Sequence, residues 1–319
     1  MKVLVTGAAG FIGSHVAEAL LARGDAVAGL DNFNDYYSPA RKRSNVAQLT
    51  PYPQFTLHEV DLRDAEALEE ICAQGRFDAV VHLAAMAGVR YSIERAPLYT
   101  DVNIAGTVSL LEAARKAGTP HFVFASTSSV YGRTEELPFQ EDAPAVEPLA
   151  PYPATKLAGE AMGHAYHNMF DLSFTALRFF SVYGPRGRPD MMPYIVTDSI
   201  VHGKSFQLYE AGEMFRDWTY VADIAAGVVA AADRPLDYQV INLGRGEPVR
   251  MADFVELVEE LVGKEAVMTT PPAPASEPPI TYADISKARR LLDYEPTTSV
   301  ADGMARFWDW YRAEVLEQV

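Results

Sequence analysis

A doubly wound parallel α/β sheet, followed by a smaller mixed α/β unit, is the fold class this sequence predicts. Three observations lead there. Apolar β-runs alternate with helical patterns through the first 180 residues, the opening run ends in a glycine turn that enters a helix, and the strict alternation fades after residue 190. Alternation of this kind builds parallel strands joined by right-handed crossovers. Ligands in such sheets sit beyond the carboxyl ends of the strands, which directs attention to segments 31–46, 84–97, 126–152 and 178–193.

Strands are expected at Val3–Thr6, Ala26–Leu30, Phe55–Val60, Ala79–Leu83, Phe122–Ala125 and Ser173–Leu177. The helices between them are expected at Phe11–Arg23, Ala65–Ala73, Leu98–Ala117 and Ala154–Met169. Later come helices at Tyr194–His202, Ile224–Ala232 and Met251–Val262, with short strands near Phe206–Tyr209, Trp218–Val221 and Val240–Leu243. Residues 1–180 are read as the dinucleotide-binding unit and 181–319 as the substrate unit, closely packed and interleaved. The stretch PPAPASEPP (271–279) is too short to link independent domains and reads as an extended surface segment leading to Tyr282.

The glycine turn carries the first chemistry. In VLVTGAAGFIG, Gly7, Gly10 and Gly13 answer three needs: a tight turn, backbone approach to a pyrophosphate, and close helix–strand contact. Phe11 and Ile12 open the helix, whose free N–H groups attract phosphate charge. Asp31 closes the second strand eighteen residues past Gly13, where a carboxylate accepts hydrogen bonds from an adenosine ribose; Asn32 follows it. A plain βαβ turn would share the glycines but not this order of strand, turn, helix, strand and acid. A carboxylate at position 31 repels a 2′-phosphate, so NAD is expected rather than NADP.

The totals bound the rest. At 319 residues the chain can bury a large core. No segment is apolar for the ~18 residues a membrane span needs, and the apolar run after Lys2 is cut by glycines, unlike a signal peptide. Cys72 is the single cysteine, which excludes an intrachain disulfide and fits a reducing cytoplasm. A formal charge of −16 argues against nucleic acid and repels anionic ligands at long range, so an anionic substrate needs local cations. The seven histidines form no convincing metal site; His164 and His167 share a helix face without a carboxylate or cysteine to complete one.

Tyr152 and Lys156 lie one helical turn apart on one face. A phenol of pKa ~10 is a poor base until a neighbouring ammonium stabilises the phenolate. The same spacing also describes a surface pair. STSSVYG (126–132) places hydroxyls at a strand end, where Thr127 and Ser128 can share a substrate oxygen with Tyr152; a Ser/Thr-rich turn has the same composition. HLAA (82–85), with Leu83, Ala84 and Ala85, allows close passage of a cofactor, and Asp61-Leu62 can bracket an adenine.

TGAAGFIG, Asp31, Asp61-Leu62, HLAA, STSSVYG and Tyr152-x-x-x-Lys156, in this order, resemble the extended short-chain dehydrogenase/reductase family, and within it the nucleotide-sugar epimerases. FRDWTYVADIA (215–225) and YADISKARRLLDYEP (282–296) extend the resemblance to about residue 315. The resemblance implies a Rossmann-type sheet, bound NAD touched also by Asn103, and a UDP-sugar held partly by Tyr282. The family's 4,6-dehydratases carry an Asp-Glu pair where this chain has Ser128-Ser129, and its UDP-glucuronate decarboxylases a Glu at the Ser129 position. Reversible oxidation at a sugar carbon remains.

Segments 31–45, 86–94 and 178–191 resemble the branch acting on UDP-glucuronate more than the one acting on UDP-galactose. They bring in Arg90, Arg186 and Arg188, beside Arg216 of FRDWTY. The resemblance implies Arg216 at the diphosphate, Ser181 at the sugar, and Thr127, Ser128 and Ser129 around a C6 carboxylate. Arg90 can equally pair with Glu94 at i,i+4. The implied activity is NAD-dependent 4-epimerisation of UDP-glucuronate through a 4-keto sugar, by a homodimer joined through a four-helix interface. A 4-epimerase of UDP-glucose or another neutral sugar is the alternative, and a silent NAD-binding regulatory protein a remote one. Two departures stand out: Pro153 inside the Tyr/Lys motif, acceptable in a first helical turn, and Ser276-Glu277 where relatives often carry Gly-Asp at the uridine ribose.

Overall fold

The computed structural model describes residues 1–317 apart from 135, 144 and 146. The first half runs β1 (Lys2–Thr6), α1 (Phe11–Arg23), β2 (Ala26–Leu30), α2 (Pro39–Ala47), β3 (Phe55–His58), α3 (Ala65–Gly75) and β4 (Ala79–His82). It continues with α4 (Val89–Glu94), α5 (Ala96–Thr100), α6 (Gly106–Lys116), β5 (His121–Thr127), α7 (Pro151–Phe170) and β6 (Ser173–Phe179). Next come β7 (Ser181–Tyr183), α8 (Met192–His202), β8 (Ser205–Gln207), β9 (Phe215–Tyr220), α9 (Val221–Ala232) and β10 (Tyr238–Leu243). The chain closes with β11 (Pro248–Arg250), α10 (Met251–Val262), β12 (Val267–Thr269), β13 (Ile280–Thr281), α11 (Ser286–Leu292) and α12 (Val300–Tyr311).

Seven strands form the large sheet in the spatial order β10-β6-β5-β4-β1-β2-β3, all parallel. Side chains alternate across it as strand geometry demands. Val5, Val81 and Val123 pack with Leu20 of α1 and Ile224 of α9 on one face. Leu4, Val80, Phe122 and Phe124 pack with Leu68 of α3 and Leu110 of α6 on the other. Every residue of β5 and β6 is buried, as expected of central parallel strands covered on both sides.

Local pattern alone groups the strand near Val240 with the short strands of the second unit. It is instead the edge of the large sheet, with Val240 opposite Ala176 and Leu243 opposite Phe179. Strand pairing over a gap of sixty residues leaves no trace in local periodicity. The remaining short strands form a sheet ordered β11-β9-β13, with β7 also on β9, and a separate β8–β12 pair.

The helix expected at Leu98–Ala117 is α5 and α6 joined by a π-helical turn over Asp101–Ala105. A π turn inserts one residue while the backbone stays helical, so no break in the sequence marks it and the pattern reads as one helix. α1 starts with no side-chain cap and stops at Gly24, φ 97°, whose N–H closes onto the Leu20 and Leu21 carbonyls. α7 carries Pro151 and Pro153 in its opening turn, where a missing N–H costs nothing. Among the described residues no helix is long and apolar enough to cross a membrane.

Candidate active site

A cavity of about 340 Å³ opens where Gly7 follows β1, Asp31 follows β2, Ala84 follows β4 and Thr127 ends β5. Gly7 has φ +71°, and a Cβ there would meet the Ala84 amide nitrogen at 2.8 Å. A Cβ on Gly13 would lie 2.0 Å from the Gly7 carbonyl oxygen. The turn is therefore packed to the backbone on both sides. Gly10, Phe11, Ile12 and Gly13 then present the uncapped end of α1 to the cavity. That is a fit for the pyrophosphate of a dinucleotide.

The Asp31 carboxylate accepts from Ala9 N at 3.2 Å and Phe33 N at 2.9 Å. Burial raises its pKa, against the opposing charge of Lys42. A buried acceptor facing the cavity suits ribose hydroxyls. Asn32, Asp61 and Leu62 continue this wall; Asn32 Nδ2 donates to Asp61 at 2.8 Å, and the Arg63 hydrogen bonds hold the Asp61 carboxyl well below the usual range.

The ends of β1 and β4 are locked by a buried histidine that the sequence reading quoted only within HLAA. Ala84 N donates to Thr6 Oγ1 at 3.2 Å, and Thr6 Oγ1 lies 2.7 Å from His82 Nδ1. His82 Nε2 lies 3.0 Å from Thr107 Oγ1, whose hydroxyl donates to the Asn103 carbonyl at 2.6 Å. Burial, then the nearby Lys156 charge, pulls His82 down to about 3, so it stays neutral. This chain of bonds holds Leu83, Ala84 and Ala85 on the cavity wall.

Tyr152, Lys156, Thr127, Ser128 and Ser129 share the opposite wall with Ser181. The Tyr152 backbone is pinned from both ends: its N–H donates to Ser92 Oγ at 3.1 Å and its carbonyl accepts from Thr155 Oγ1 at 2.8 Å. Burial raises the phenol pKa, while the Arg188 guanidinium and Thr127 hydroxyl act in the opposite sense. Burial pushes the Lys156 ammonium down to about 7, opposed by the charge of Glu160, and its Nζ lies 4.8 Å from the Phe124 ring centre. Thr127 Oγ1 donates to Ser129 Oγ at 3.2 Å.

Five expected residues are not on the cavity wall. Asn103 is buried under it, its amide held by Met86 N and O and by Thr155 Oγ1. Arg186 sits at φ +64°, which turns its side chain onto α1, where Nη2 pairs with Glu18 at 2.7 Å. Arg188 takes the place on the wall, tied to Asp190, with Tyr36 donating to Asp190 at 2.9 Å. Tyr282 pairs by its carbonyl with Phe139 N. Arg90 and Arg216 both bond Glu277, each at 3.1 Å. The alternative partner of Arg90, Glu94, is not the one it takes. Tyr36, Tyr37 and Lys42, in the segment beyond β2, also line the cavity, although no motif in the sequence singles them out. Among the described residues no three His, Cys, Asp or Glu side chains could hold a metal ion.

Residues 3–244 match the model of the NAD dependent epimerase/dehydratase family. The chain belongs to that family. Members similar to it include UDP-glucuronate 4-epimerase 4 of Arabidopsis thaliana, 43% identical over 98% of this chain and 75% of that protein. The crystal structure of UDP-glucuronic acid 4-epimerase from Bacillus cereus, in complex with UDP-glucuronic acid and NAD, superposes with a TM-score of 0.92 at 38% identity, covering 98% of this chain and 99% of that one. DesIV, the dTDP-glucose 4,6-dehydratase of Streptomyces venezuelae, reaches the same TM-score of 0.92 at 30% identity, covering 98% of both chains. Shape alone thus does not separate the family's reactions. The order of motifs in the sequence points to the same family and to its NAD dependence.

Proposed function

We propose that this chain interconverts UDP-glucuronate and UDP-galacturonate by NAD-dependent epimerisation at the sugar C4, through a 4-keto intermediate. The observation that carries the proposal is the strand end at Thr127, Ser128 and Ser129, which lines the cavity beside Tyr152 and Lys156 with neutral hydroxyls. Dehydration needs an acid/base pair there, and the chain has none. Relatives named as UDP-glucuronate 4-epimerases support the same reading.

Bound NAD would supply a hydride acceptor for the outward step and a hydride donor for the return. Gly7, Gly10, Gly13 and the start of α1 would hold its pyrophosphate, Asp31 its adenosine ribose, Asp61 and Leu62 its adenine, and Lys156 its nicotinamide ribose. Tyr152, as phenolate, takes the C4 hydroxyl proton directly or through Thr127, and returns it. Arg216, with Arg90 beside it, meets the diphosphate, and Ser181 the sugar. The keto sugar must present its other face before hydride returns. Cations at the diphosphate, with hydroxyls around the ring and the Arg188 charge there already met by Asp190, suit a firmly held nucleotide and a loosely held sugar.

In this reading residues 1–180 supply most of the cofactor site and 181–319 most of the nucleotide-sugar site, the two interleaved through β10 at the edge of the large sheet. Exposed Met162, Met169 and Phe170 on α7 support a homodimer, and the single buried thiol of Cys72 a cytoplasmic setting. Incubation with each UDP-uronate and NAD, followed by chromatography of the products, tests the activity. The other C4 epimer should form from either substrate, faster than UDP-galactose forms from UDP-glucose. Conversion of neither uronate rejects the proposal.

A further inference from the structure

Beneath Lys156 lies an ion pair withdrawn from water. Glu160 and Arg178 are 3% and 4% exposed. Arg178 Nε donates to Glu160 Oε1 at 3.0 Å and Nη2 to Oε2 at 2.8 Å, while Ser126 Oγ donates to Oε1 at 2.5 Å. Ser126 stands opposite Arg178 in the β5–β6 register and also lines the cavity. The guanidinium lies 4.6 Å from the Tyr131 ring centre, and its Nη1 has no hydrogen-bond partner. Such a pair seldom adds stability over well-packed apolar residues, because desolvation offsets the attraction. Its presence in the core calls for another reason.

Geometry supplies one. Tyr152, Lys156 and Glu160 are spaced four residues apart along α7, so they share one face, with Glu160 one turn below the ammonium. The pair is neutral in sum but directional. Its negative end is on α7 with Lys156, and its positive end on β6, turned toward Tyr131. We propose that Glu160 and Arg178 are positioning residues for Lys156: their oriented pair keeps the ammonium charged beside Tyr152, and Arg178 limits how strongly Glu160 does so. The proposal rests on the epimerase reading above.

The other groups around Lys156 leave this role open. His82 of β4 is neutral, and Tyr131 and Tyr238 are un-ionised phenols; Arg188 faces Tyr152 with its charge met by Asp190. On α6, Glu112 is taken up by Arg115 and Tyr166, and on α4 Arg90 is bonded to Glu277. His121 of β5 is bound to Ala231 O and Ser173. Glu160 is the anion that opposes the effect of burial on Lys156.

Two substitutions should move the alkaline limb of the kcat–pH profile in opposite directions. Glu160→Gln removes the attraction and leaves the repulsion of Arg178, so the limb should shift down by about one pH unit. Arg178→Gln leaves Glu160 with Lys156 as its near cation, so the limb should shift up. Glu160→Asp should return part of the way to wild type. If either single variant fails to fold, Glu160→Gln combined with Arg178→Met removes both charges and should still shift the limb down, though less. Limbs that stay in place, or that move the same way in both single variants, overturn the proposal. A second readout needs no substrate: the NMR titration of the isotopically labelled Lys156 side chain in the NAD-bound protein, assigned by its loss in Lys156→Met. Its midpoint should follow the order Glu160→Gln, wild type, Arg178→Gln, and any other order overturns the proposal even if the substrate were a different sugar nucleotide.

Discussion

The Gly13 α-carbon sits so close to the Gly7 carbonyl that a single added methyl group would overlap it, with Cβ at 2.0 Å from the oxygen and 2.7 Å from its carbon. Backbone meets backbone at this point, so no side-chain rotation can relieve the overlap. Gly13→Ala should cost roughly 1–3 kcal/mol of stability and displace the start of α1 from the cavity. Denaturant melts should show the first effect, and loss of NAD from the purified protein the second. A variant that holds NAD as wild type does would contradict the packing.

Tyr152→Phe removes one oxygen from a ring that stays packed against Tyr99, 6.2 Å away between centres. Losing a general base typically lowers rate by about 10²–10⁴-fold. The expected result is that fall in kcat with NAD content unchanged. Wild-type turnover would remove Tyr152 from the base role.

His82 is held near 3 in the folded protein, against an unfolded value of about 6.5. Between these limits the unfolded chain binds the extra proton, so stability rises with pH through this window and is lost as pH falls from about 6.5 toward 3. The contribution is at most about 1.4 kcal/mol per pH unit. His82→Gln should flatten the acid limb of the melting-temperature profile. An unchanged slope would assign acid sensitivity to other groups.

Arg216 lies off the cavity wall that carries Tyr152, bonded to Glu277 and to the Phe215 carbonyl. A charge-assisted hydrogen bond contributes about 1.5–3 kcal/mol, or roughly 10–150-fold in affinity. Arg216→Gln should therefore raise KM for the UDP-sugar by about that factor and leave kcat much less affected. A selective fall in kcat would place Arg216 nearer the reacting carbon than its position suggests.

Much of this was legible in the sequence because the relevant signals are local. The glycines, Asp31, the Tyr152/Lys156 spacing and the hydroxyls after β5 each declare themselves within a few residues, and the cavity gathers them. What was not legible depends on distance or direction. Tyr238–Leu243 looks like any short strand until it is seen beside β6. Arg186 and Arg188 are two residues apart, and only the left-handed backbone at Arg186 decides which guanidinium faces the cavity. Tyr36 reaches Asp190 across 154 residues of chain. The Arg90–Glu277 bond replaced a plausible i,i+4 pair for the same reason.

The late arrival of β10 bears on how the protein is made. Synthesis delivers β6, buried along its whole length in the finished fold, about sixty residues before the strand that covers its edge. Until residue 243 has left the ribosome, that edge offers a row of unpaired N–H and C=O groups to any passing strand. β7 and β9 of the small sheet are translated inside this interval and β11 and β13 after it, so the two sheets cannot be finished one after the other. A nascent chain halted between residues 180 and 238 is the form of this protein most exposed to aggregation and most in need of a chaperone.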